Sequence, residues 1–206
     1  ASITAVIEMT ITPVNDPPVL SENSFNTDED ILLNASLVAS DIDGDTLSYT
    51  LDSTTTSGVL TLEETGDFSY QPNADFAGSD SFTISITDEE VTIQEVITID
   101  VNSINDAPII ITETIVTDED TTYIGQIEAS DVEADSLTFA IVTPTMSGTA
   151  TITQNGELAY VPLDNFNGND SVSISVTDIH GASITAVIEM TITPVNDPPV
   201  LSENSF

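Results

Sequence analysis

The segment Asp41-Ile42-Asp43-Gly44-Asp45 carries the strongest chemical signal in the chain. Its three carboxylates are two residues apart, and Gly44 permits a tight loop that turns them toward one point. Ca²⁺ takes about six to eight oxygen ligands, many of them carboxylates. The loop is not an EF-hand, which would need Gly at position 46 and Glu at position 52, where Thr46 and Asp52 stand. We therefore predict a calcium loop of another kind, with a solvated acidic turn as the alternative.

A second version of this loop, Asp131-Val132-Glu133-Ala134-Asp135, follows later in the chain. It has lost the glycine and carries a longer carboxylate at its centre, so its signal is weaker. Other acids recur at matching positions, and three Asn-Asp pairs lie between the repeated segments. Each of these residues alone would be read as a turn former. The predicted metal ligands are Asn15, Asp16, Glu29, Asp41, Asp43, Asp45, Asp88, Asn105, Asp106, Glu119, Asp131, Glu133, Asp135, Asp178, Asn196 and Asp197.

The charge balance of the whole chain also favours bound divalent cations. There are 36 acidic residues and neither Lys nor Arg, which gives a formal net charge of −36. Hydrophobic residues make up 39% of the chain, enough for folded cores rather than disorder. Self-repulsion of this size destabilises a compact state, and bound divalent cations would offset it while adding folding free energy. The alternative is a surface that is acidic only for solubility.

The composition also excludes several partners. Nucleic acid and anionic membrane surfaces are recognised by Lys and Arg, which are absent. No stretch approaches the roughly 20 apolar residues of a membrane helix. Cysteine is absent, so disulfides and thiolate metal sites are excluded. We predict a secreted or cell-surface protein, where Ca²⁺ is plentiful.

Two levels of repetition organise the chain. Residues 1–25 recur without change as residues 182–206, which indicates a recently duplicated unit and a longer parent protein. Within the unit, a shift of 90 residues matches 24 of the 62 positions from Thr27 to Asp88, so each unit is a doublet of homologous domains. The predicted boundaries are residues 1–16 for the last strand and linker of a preceding repeat, 17–106 and 107–197 for the two domains, and 198–206 for the first strand of a following repeat.

The hydrophobic pattern is that of β-strands. Ser81–Asp88 alternates apolar and polar residues, which places Phe82, Ile84 and Ile86 on one face. Other predicted strands are Leu47–Asp52, Gly58–Glu63, Asp67–Gln71 and Val91–Val101. About seven short strands per domain favour an all-β fold of two tandem antiparallel Greek-key β-sandwiches. A barrel is one alternative; a β-solenoid would need a repeat of roughly 20–30 residues, which is absent.

Each domain boundary carries an Asn-Asp pair followed by proline. Proline fixes its own φ and extends the residue before it, so these linkers are short and semi-stiff. We therefore expect the domains to stand in a row as a rod. Residues 1–14 and 199–206 are expected to be orphan strands, whose unpaired edges could pair with an identical chain.

Together these motifs resemble the cadherin-like tandem repeats of large bacterial surface adhesins. The resemblance rests on the Asn-Asp-x-Pro linkers, Thr27-Asp28-Glu29-Asp30, the Asp41–Asp45 loop and the tail from Tyr70-x-Pro72 to Thr87-Asp88. It extends over both domains and so covers nearly the whole chain. It implies immunoglobulin-like sandwiches with Ca²⁺ at each domain junction. By this resemblance the central junction would use Glu29, Asn105, Asp106, Asp131, Glu133 and Asp178, and the preceding one Asn15, Asp16, Asp41, Asp43 and Asp88. The alternative places calcium within each domain's own loops.

The leading functional hypothesis is a calcium-stiffened structural extender whose partners are the neighbouring repeats. The alternatives are a carbohydrate-binding module with a polysaccharide partner, and a filament or surface-layer subunit that donates an orphan strand to an identical chain. An enzyme is not expected, because the single histidine, His180, has no G-x-S-x-G segment to accompany it.

Overall fold

The computed structural model describes residues 3–199, and the chain divides into two compact units, one ending at Ile104 and the other beginning at Asn105. The described residues form strands and loops without a helix. The strands of the first unit are β1 Val19–Leu20, β2 Ser24–Asp28, β3 Leu33–Ser36, β4 Ala39–Ser40, β5 Ser48–Ser53, β6 Gly58–Leu62, β7 Asp67–Pro72, β8 Gly78–Thr87 and β9 Thr92–Asn102. Those of the second are β10 Ile109–Ile110, β11 Thr114–Asp118, β12 Tyr123–Gln126, β13 Ala129–Ser130, β14 Thr138–Thr143, β15 Gly148–Ile152, β16 Glu157–Pro162, β17 Gly168–Thr177 and β18 Ser183–Thr193.

Each unit is a sandwich of two sheets. In the first unit the four-stranded sheet has the order β2-β9-β8-β5 and the three-stranded sheet the order β3-β7-β6. A separate two-stranded ribbon joins β1 and β4. The second unit repeats this arrangement strand for strand. The described chain thus has nine strands per unit rather than the predicted seven or so, since a two-residue strand is too short to show alternation.

The core lies between the two sheets. The inward face predicted from alternation is confirmed: Phe82, Ile84 and Ile86 of β8 are almost completely buried. Phe68 of the opposite sheet packs against Phe82 and Phe25, with ring centroids 5.4 and 5.0 Å apart. Aromatic contacts at these distances add to the free energy gained by burial alone. The corresponding core of the second unit is mostly aliphatic around Val172, Ile174 and Val176, with Tyr160 fully buried and Tyr123, Phe139 and Phe166 partly buried against it.

The predicted β-sandwich fold is confirmed, and the strand pairings of the described residues are antiparallel except for one parallel pairing in each unit. β2 runs parallel to β9 from Ser24↔Thr98 to Asp28↔Asn102, and β11 runs parallel to β18 in the same way. Alternation shows which face of a strand is buried but not which way its neighbour runs. The direction of this pairing therefore could not be read from the hydrophobic pattern.

The predicted orphan strands have different outcomes. Within the described part of the chain, residues 3–13 belong to no strand, although residues 3–12 are identical in sequence to residues 184–193 of β18. Of the second predicted orphan strand, Pro199 lies outside any strand and residues 200–206 lie outside the described residues.

A buried aspartate links the two sheets at the same position in each unit. Asp80 of β8 accepts hydrogen bonds from the backbone N–H groups of Thr56, Ser57 and Ser81, at 2.8–3.1 Å, and from the hydroxyl of Tyr70 at 3.0 Å. Tyr70 lies on β7, so this carboxylate joins the β5–β6 loop and the opposite sheet to β8. Burial raises the pKa of Asp80, but these hydrogen bonds outweigh it and leave the pKa below its ordinary value.

The second unit has the same arrangement. Asp170 accepts from the backbone N–H groups of Met146, Ser147 and Ser171 and from the Tyr160 hydroxyl. Its pKa is also lowered, because the same hydrogen bonds outweigh the opposing effect of burial. Asp80 and Asp170, which were not among the predicted site residues, thus have the same structural role in the two units.

We predict that Asp80→Asn lowers the free energy of unfolding by about 2–3 kcal/mol at pH 7. The hydrogen bonds to a charged acceptor are weakened, and the new side-chain NH₂ group faces one of the donors that Asp80 accepts from. The folded pKa of Asp80 is below the unfolded value of about 3.9, so its stabilisation is complete above that value and is lost as pH falls through the folded pKa. The variant should therefore lose less stability than the wild type between pH 4 and pH 2, in urea denaturation at each pH.

Asp100→Asn is the matched control, since Asp100 is exposed on the neighbouring strand β9. It removes the same charge but should leave stability at pH 7 within about 0.5 kcal/mol of wild type. If the free energy of unfolding of Asp80→Asn and Asp100→Asn fell equally between pH 4 and pH 2, the assigned role of Asp80 would be wrong.

Candidate metal centre

Three separate stretches of the first unit are brought to one end by strand pairing. The β1–β4 ribbon pairs Val19 with Ser40, so the linker before β1 lies beside the loop that begins at Asp41. The start of β5 pairs with the end of β8, Ser48 with Thr87, so Asp88 lies at the end of that same loop. The linker, the acidic loop and the β8–β9 turn therefore converge, as the sequence prediction of a shared site requires.

The acidic loop is folded around its own first carboxylate. Asp41 Oδ1 accepts hydrogen bonds from the backbone N–H groups of Asp43, Gly44 and Asp45 at 2.8, 3.1 and 3.4 Å. Gly44 has φ of 85°, a left-handed conformation that glycine adopts without strain. One carboxylate oxygen from each of Asp41, Asp43 and Asp45 lies within 4.8 Å of the others. The i, i+2, i+4 spacing does bring the three carboxylates together.

The linker residues reach the same group. The Asn15 side chain donates through Nδ2 to Asp88 Oδ2 at 3.0 Å, and the backbone N–H of Asp16 donates to Asp43 Oδ2 at 2.9 Å. Asp88 Oδ1 also accepts from the backbone N–H groups of Glu90 and Val91. The first unit therefore gathers six of the predicted ligands at one end: Asn15, Asp16, Asp41, Asp43, Asp45 and Asp88.

Two carboxylates of the first unit's site, Asp88 and Asp45, have pKa values shifted in opposite directions. Hydrogen bonds from the backbone of Val91 and the side chain of Asn15 hold the pKa of Asp88 below its ordinary value. Desolvation and the neighbouring charges of Asp41 and Asp43 raise the pKa of Asp45. The loop thus contains like charges that no basic side chain offsets, since the chain has neither Lys nor Arg.

The second unit preserves the arrangement with altered side chains. Asn105 donates to Asp178 Oδ2 at 2.8 Å, and the backbone N–H of Asp106 donates to Glu133 Oε2 at 3.3 Å. Asp131 Oδ1 accepts from the backbone N–H groups of Glu133 and Asp135, both at 3.1 Å. The six matching residues therefore lie together here too: Asn105, Asp106, Asp131, Glu133, Asp135 and Asp178.

The backbone of the second loop is strained where the first is not. Ala134 replaces Gly44 and has φ of 60°, still in the left-handed region. A non-glycine residue held there costs on the order of 1–3 kcal/mol. The second loop has thus kept the left-handed conformation at this position, although it has lost the glycine that adopts this conformation without strain.

A partnerless carboxylate oxygen recurs at the first position of both loops. Asp41 Oδ2 and Asp131 Oδ2 are shielded from solvent and have no hydrogen-bond partner among the described residues. A buried acceptor left unsatisfied is costly, and more so when it is charged. A hard cation bound to these oxygens would remove that cost, so the residues present fit Ca²⁺.

Four of the predicted ligands lie elsewhere within their own units. The buried Glu29 accepts through Oε1 from the backbone N–H of Ile104, beyond the end of β9. The buried Glu119 accepts from the backbone N–H of Val195 and the side chain of Asn167. Asn196 donates to the backbone of Asp197, and both are exposed. No hydrogen bond in the described chain connects these residues to the acidic loop of their own unit.

His180 is a neighbour of the second site that the sequence did not indicate. Its Nε2 lies 3.4 Å from Asp135 Oδ2. It sits in the turn after Asp178, where the second unit has one more residue than the first. The first unit has Glu90 in the corresponding turn, lining the depression beside Asn15 and Asp45. Comparison of the repeats therefore offered no signal for His180.

Comparisons with known proteins agree with this architecture. Residues 15–103 match the family model of the bacterial cadherin-like domain, and residues 105–191 match that of the bacterial Ig domain. No curated protein matches the sequence. The described residues contain no helix long and apolar enough to cross a membrane.

Solved cadherin structures share the fold. Human protocadherin-24 EC1-2, in a second crystal form, matches with a TM-score of 0.64 and 19% identity over 89% of this chain and 100% of that one. Protocadherin gamma B2 domains 1–5 match with a TM-score of 0.59 and 20% identity, over 90% and 41%. Human mucin-like protocadherin EC1-2 gives 0.54 and 16%, over 86% and 98%. The chain belongs to the cadherin-like and immunoglobulin-like tandem repeats of bacterial proteins.

Proposed function

We propose that each unit binds Ca²⁺ with its linker and acidic loop, and that the chain is a calcium-stiffened extender segment of a secreted or cell-surface repeat adhesin. The observation that carries the proposal is the buried, partnerless carboxylate oxygen at Asp41 and again at Asp131. It recurs although the intervening loop residues have diverged. A solvated acidic turn would not need to shield the same oxygen twice.

In the first unit the ion would be held by Asp41, Asp43 and Asp45, with Asn15 and Asp88 beside them. When bound, Ca²⁺ supplies positive charge that turns the repulsion among these carboxylates into attraction. The chain's own contribution is to arrange the ligands. The Asx-type hydrogen bonds of Asp41 shape the loop, and Asn15 orients Asp88.

The site would act on stiffness because it ties the linker to the domain that follows it. Asn15 and Asp16 precede β1, and each is connected to an acid of the first unit by a hydrogen bond. Asn105 and Asp106 have the same position before β10. Ion binding at these residues would restrict the linker and so extend the chain. The exposed or secreted setting typical of these bacterial domain families would supply the calcium.

The buried aromatic residues argue against the carbohydrate-binding alternative. Sugar platforms commonly use exposed aromatic side chains, whereas Tyr49, Phe68, Tyr70 and Phe82 lie in the core of the first unit. The same is true of Tyr160 in the second. We therefore do not extend the proposal to a polysaccharide partner.

We predict that 10 mM Ca²⁺ stabilises each unit by about 1.4–2.7 kcal/mol relative to excess chelator, given a Kd of roughly 0.1–1 mM for extracellular modules. For domains of this size the melting temperature should rise by roughly 5–20 °C in calorimetry. Asp41→Asn keeps an oxygen for the loop's hydrogen bonds but removes the charge, so it should abolish the calcium response of the first unit. Asp131→Asn should do so in the second.

Asp100→Asn again serves as the control, because it removes an exposed charge on β9 away from the loop. It should retain the full calcium response of the wild type. A melting temperature that calcium leaves unchanged in the wild-type chain would refute calcium binding.

We predict that the chain is longer in solution when calcium is bound. Small-angle X-ray scattering should give a larger maximum dimension and radius of gyration in 10 mM Ca²⁺ than in excess chelator. The same ionic strength of Na⁺ is the control, since it screens charge without binding specifically. If calcium raised the melting temperature but left the dimensions unchanged, the ion would stabilise each unit without stiffening the chain.

We predict opposite effects for substitutions at the fourth residues of the two loops, Gly44 and Ala134. Ala134→Gly should raise the free energy of unfolding by about 1 kcal/mol, because glycine adopts φ of 60° without strain. Gly44→Ala should lower it by a similar amount through φ alone, since a Cβ there would meet no atom within 4 Å. Both are measured by urea denaturation in calcium.

Ala74→Gly separates this effect from the general influence of glycine. Ala74 lies in an exposed turn with an ordinary backbone conformation, so Ala74→Gly should lower the free energy of unfolding by about 0.4–1 kcal/mol. If Ala134→Gly were destabilising like Ala74→Gly, the strain assigned to the second loop would be absent.

A further inference from the structure

His180 gives the second unit a nitrogen donor that the first unit lacks. It lies in the turn between β17 and β18 and is the single histidine of the chain. Its Nε2 is 3.4 Å from Oδ2 of Asp135, the last carboxylate of the second acidic loop. In the first unit Asp45 has the place of Asp135, and the matching turn carries Glu89 and Glu90. The first unit thus offers only oxygen here, whereas the second offers oxygen and nitrogen.

The backbone that carries each donor atom is held in place by a carboxylate. Asp178 is 5% exposed, and its Oδ1 accepts hydrogen bonds from the backbone N–H groups of His180 and Gly181 at 2.8 and 2.6 Å. The backbone N–H of Asp135 donates to Asp131 Oδ1 at 3.1 Å. The turn and the loop are therefore shaped before an ion binds, which reduces the entropy lost on binding.

The contact between the two side chains is not a hydrogen bond. Asp135 Oδ2 is shielded from solvent and accepts no hydrogen bond within the part of the chain that the structure describes. Nε2 of His180 is within ion-pair distance of this oxygen but is not aimed straight at it. A shielded carboxylate oxygen without a donor is costly. An ion bound to both atoms would satisfy the oxygen and would lie to one side of the line that joins them.

The separation of the two atoms matches that of two ligands on one tetrahedral ion. Zn²⁺ binds imidazole nitrogen and carboxylate oxygen at about 2.0–2.2 Å, so two such ligands lie roughly 3.4 Å apart. The observed distance is 3.4 Å. Imidazole suits Zn²⁺ and neighbouring transition metals, whereas calcium prefers oxygen ligands. The side chain of His180 is 60% exposed, so an ion can enter from solvent and water can complete its coordination.

We propose that His180 and Asp135 bind a divalent transition-metal ion of the zinc class in the second unit, with water in the remaining positions. The ion would clip the β17–β18 turn to the loop between β13 and β14. This site goes beyond the calcium-stiffened extender. It shares Asp135 with the proposed calcium ligands, but zinc binding in calcium-free solution does not require the extender function.

The single histidine makes metal ligation directly observable in the full chain. Nitrogen–proton correlation spectra of the imidazole ring contain the signals of His180 alone. Adding ZnCl₂ to the calcium-free chain should shift the Nε2 signal far more than the Nδ1 signal, because the ion binds Nε2. Isothermal titration calorimetry should show one zinc site that is tighter than the background of exposed carboxylates. An Nε2 signal that zinc leaves unchanged would overturn the proposal.

Charge-matched variants separate this site from the general attraction of an acidic chain for cations. His180→Asn and Asp135→Asn should each weaken the tight zinc site at least about tenfold, since even residues that only support metal ligands contribute that much. Asp164→Asn removes the same charge from the exposed β16–β17 turn, at the other end of β17, and should bind zinc as the wild type does. Equal losses in Asp135→Asn and Asp164→Asn would contradict the proposal, since net charge alone would then attract the ion.

A relocated histidine tests the geometry of the pair. The double variant Ile179→His/His180→Asn keeps one imidazole in the same turn but moves it by one residue. Neighbouring residues project their side chains in different directions, so this variant should not recover the tight site. Zinc binding equal to that of the wild type would mean that any imidazole near these acids suffices, and the assigned pair would be wrong.

Calcium separates the failure of this proposal from the failure of the proposed function. Asp131→Asn is expected to lose the calcium response of the second unit, but it retains His180 and Asp135 and should still bind zinc. A wild-type chain that binds zinc but not calcium would support the zinc site and refute the extender function. A chain that binds calcium but not zinc would do the reverse.

Discussion

The absence of Lys and Arg is the constraint on which much of this structure depends. Each carboxylate that is taken from water must be stabilised by something other than Lys or Arg. Asp80 and Asp170 use backbone N–H groups and a tyrosine hydroxyl, and Asp88 and Asp178 use backbone N–H groups and an asparagine. These bonds are strong because the acceptor is charged. The loops and turns of the sandwich are folded around carboxylates as a result.

The same constraint separates structural acids from the candidate metal ligands. Both oxygens of Asp80 accept hydrogen bonds, so it is satisfied as it stands. Asp41 and Asp131 have one oxygen engaged by the loop backbone and one shielded and unsatisfied. In a chain with basic residues, a lysine could fill that place. Here a cation from solution is the available partner, which is why the proposed function follows from the charge balance as well as from the geometry.

Much of the fold could be predicted from the sequence because the signals were local. Alternation in β8 identified its buried face, and the Asp41–Asp45 spacing identified a loop whose carboxylates do converge. The parallel pairing of β2 with β9 could not be predicted, since it depends on contacts between residues some 74 positions apart. The sheet-linking role of Asp80 was missed for the same reason. Its partners Thr56 and Tyr70 are distant in sequence and carry no pattern that marks them as donors.

The parallel pair has a mechanical consequence. β2 lies near the start of the first unit and β9 at its end, side by side and pointing the same way. Tension applied along the chain would pull these two strands in opposite directions along their length, so the hydrogen bonds between them would resist together instead of opening one at a time. β11 and β18 give the second unit the same geometry. A sandwich connected in this way is suited to bear tension between whatever its two ends are joined to.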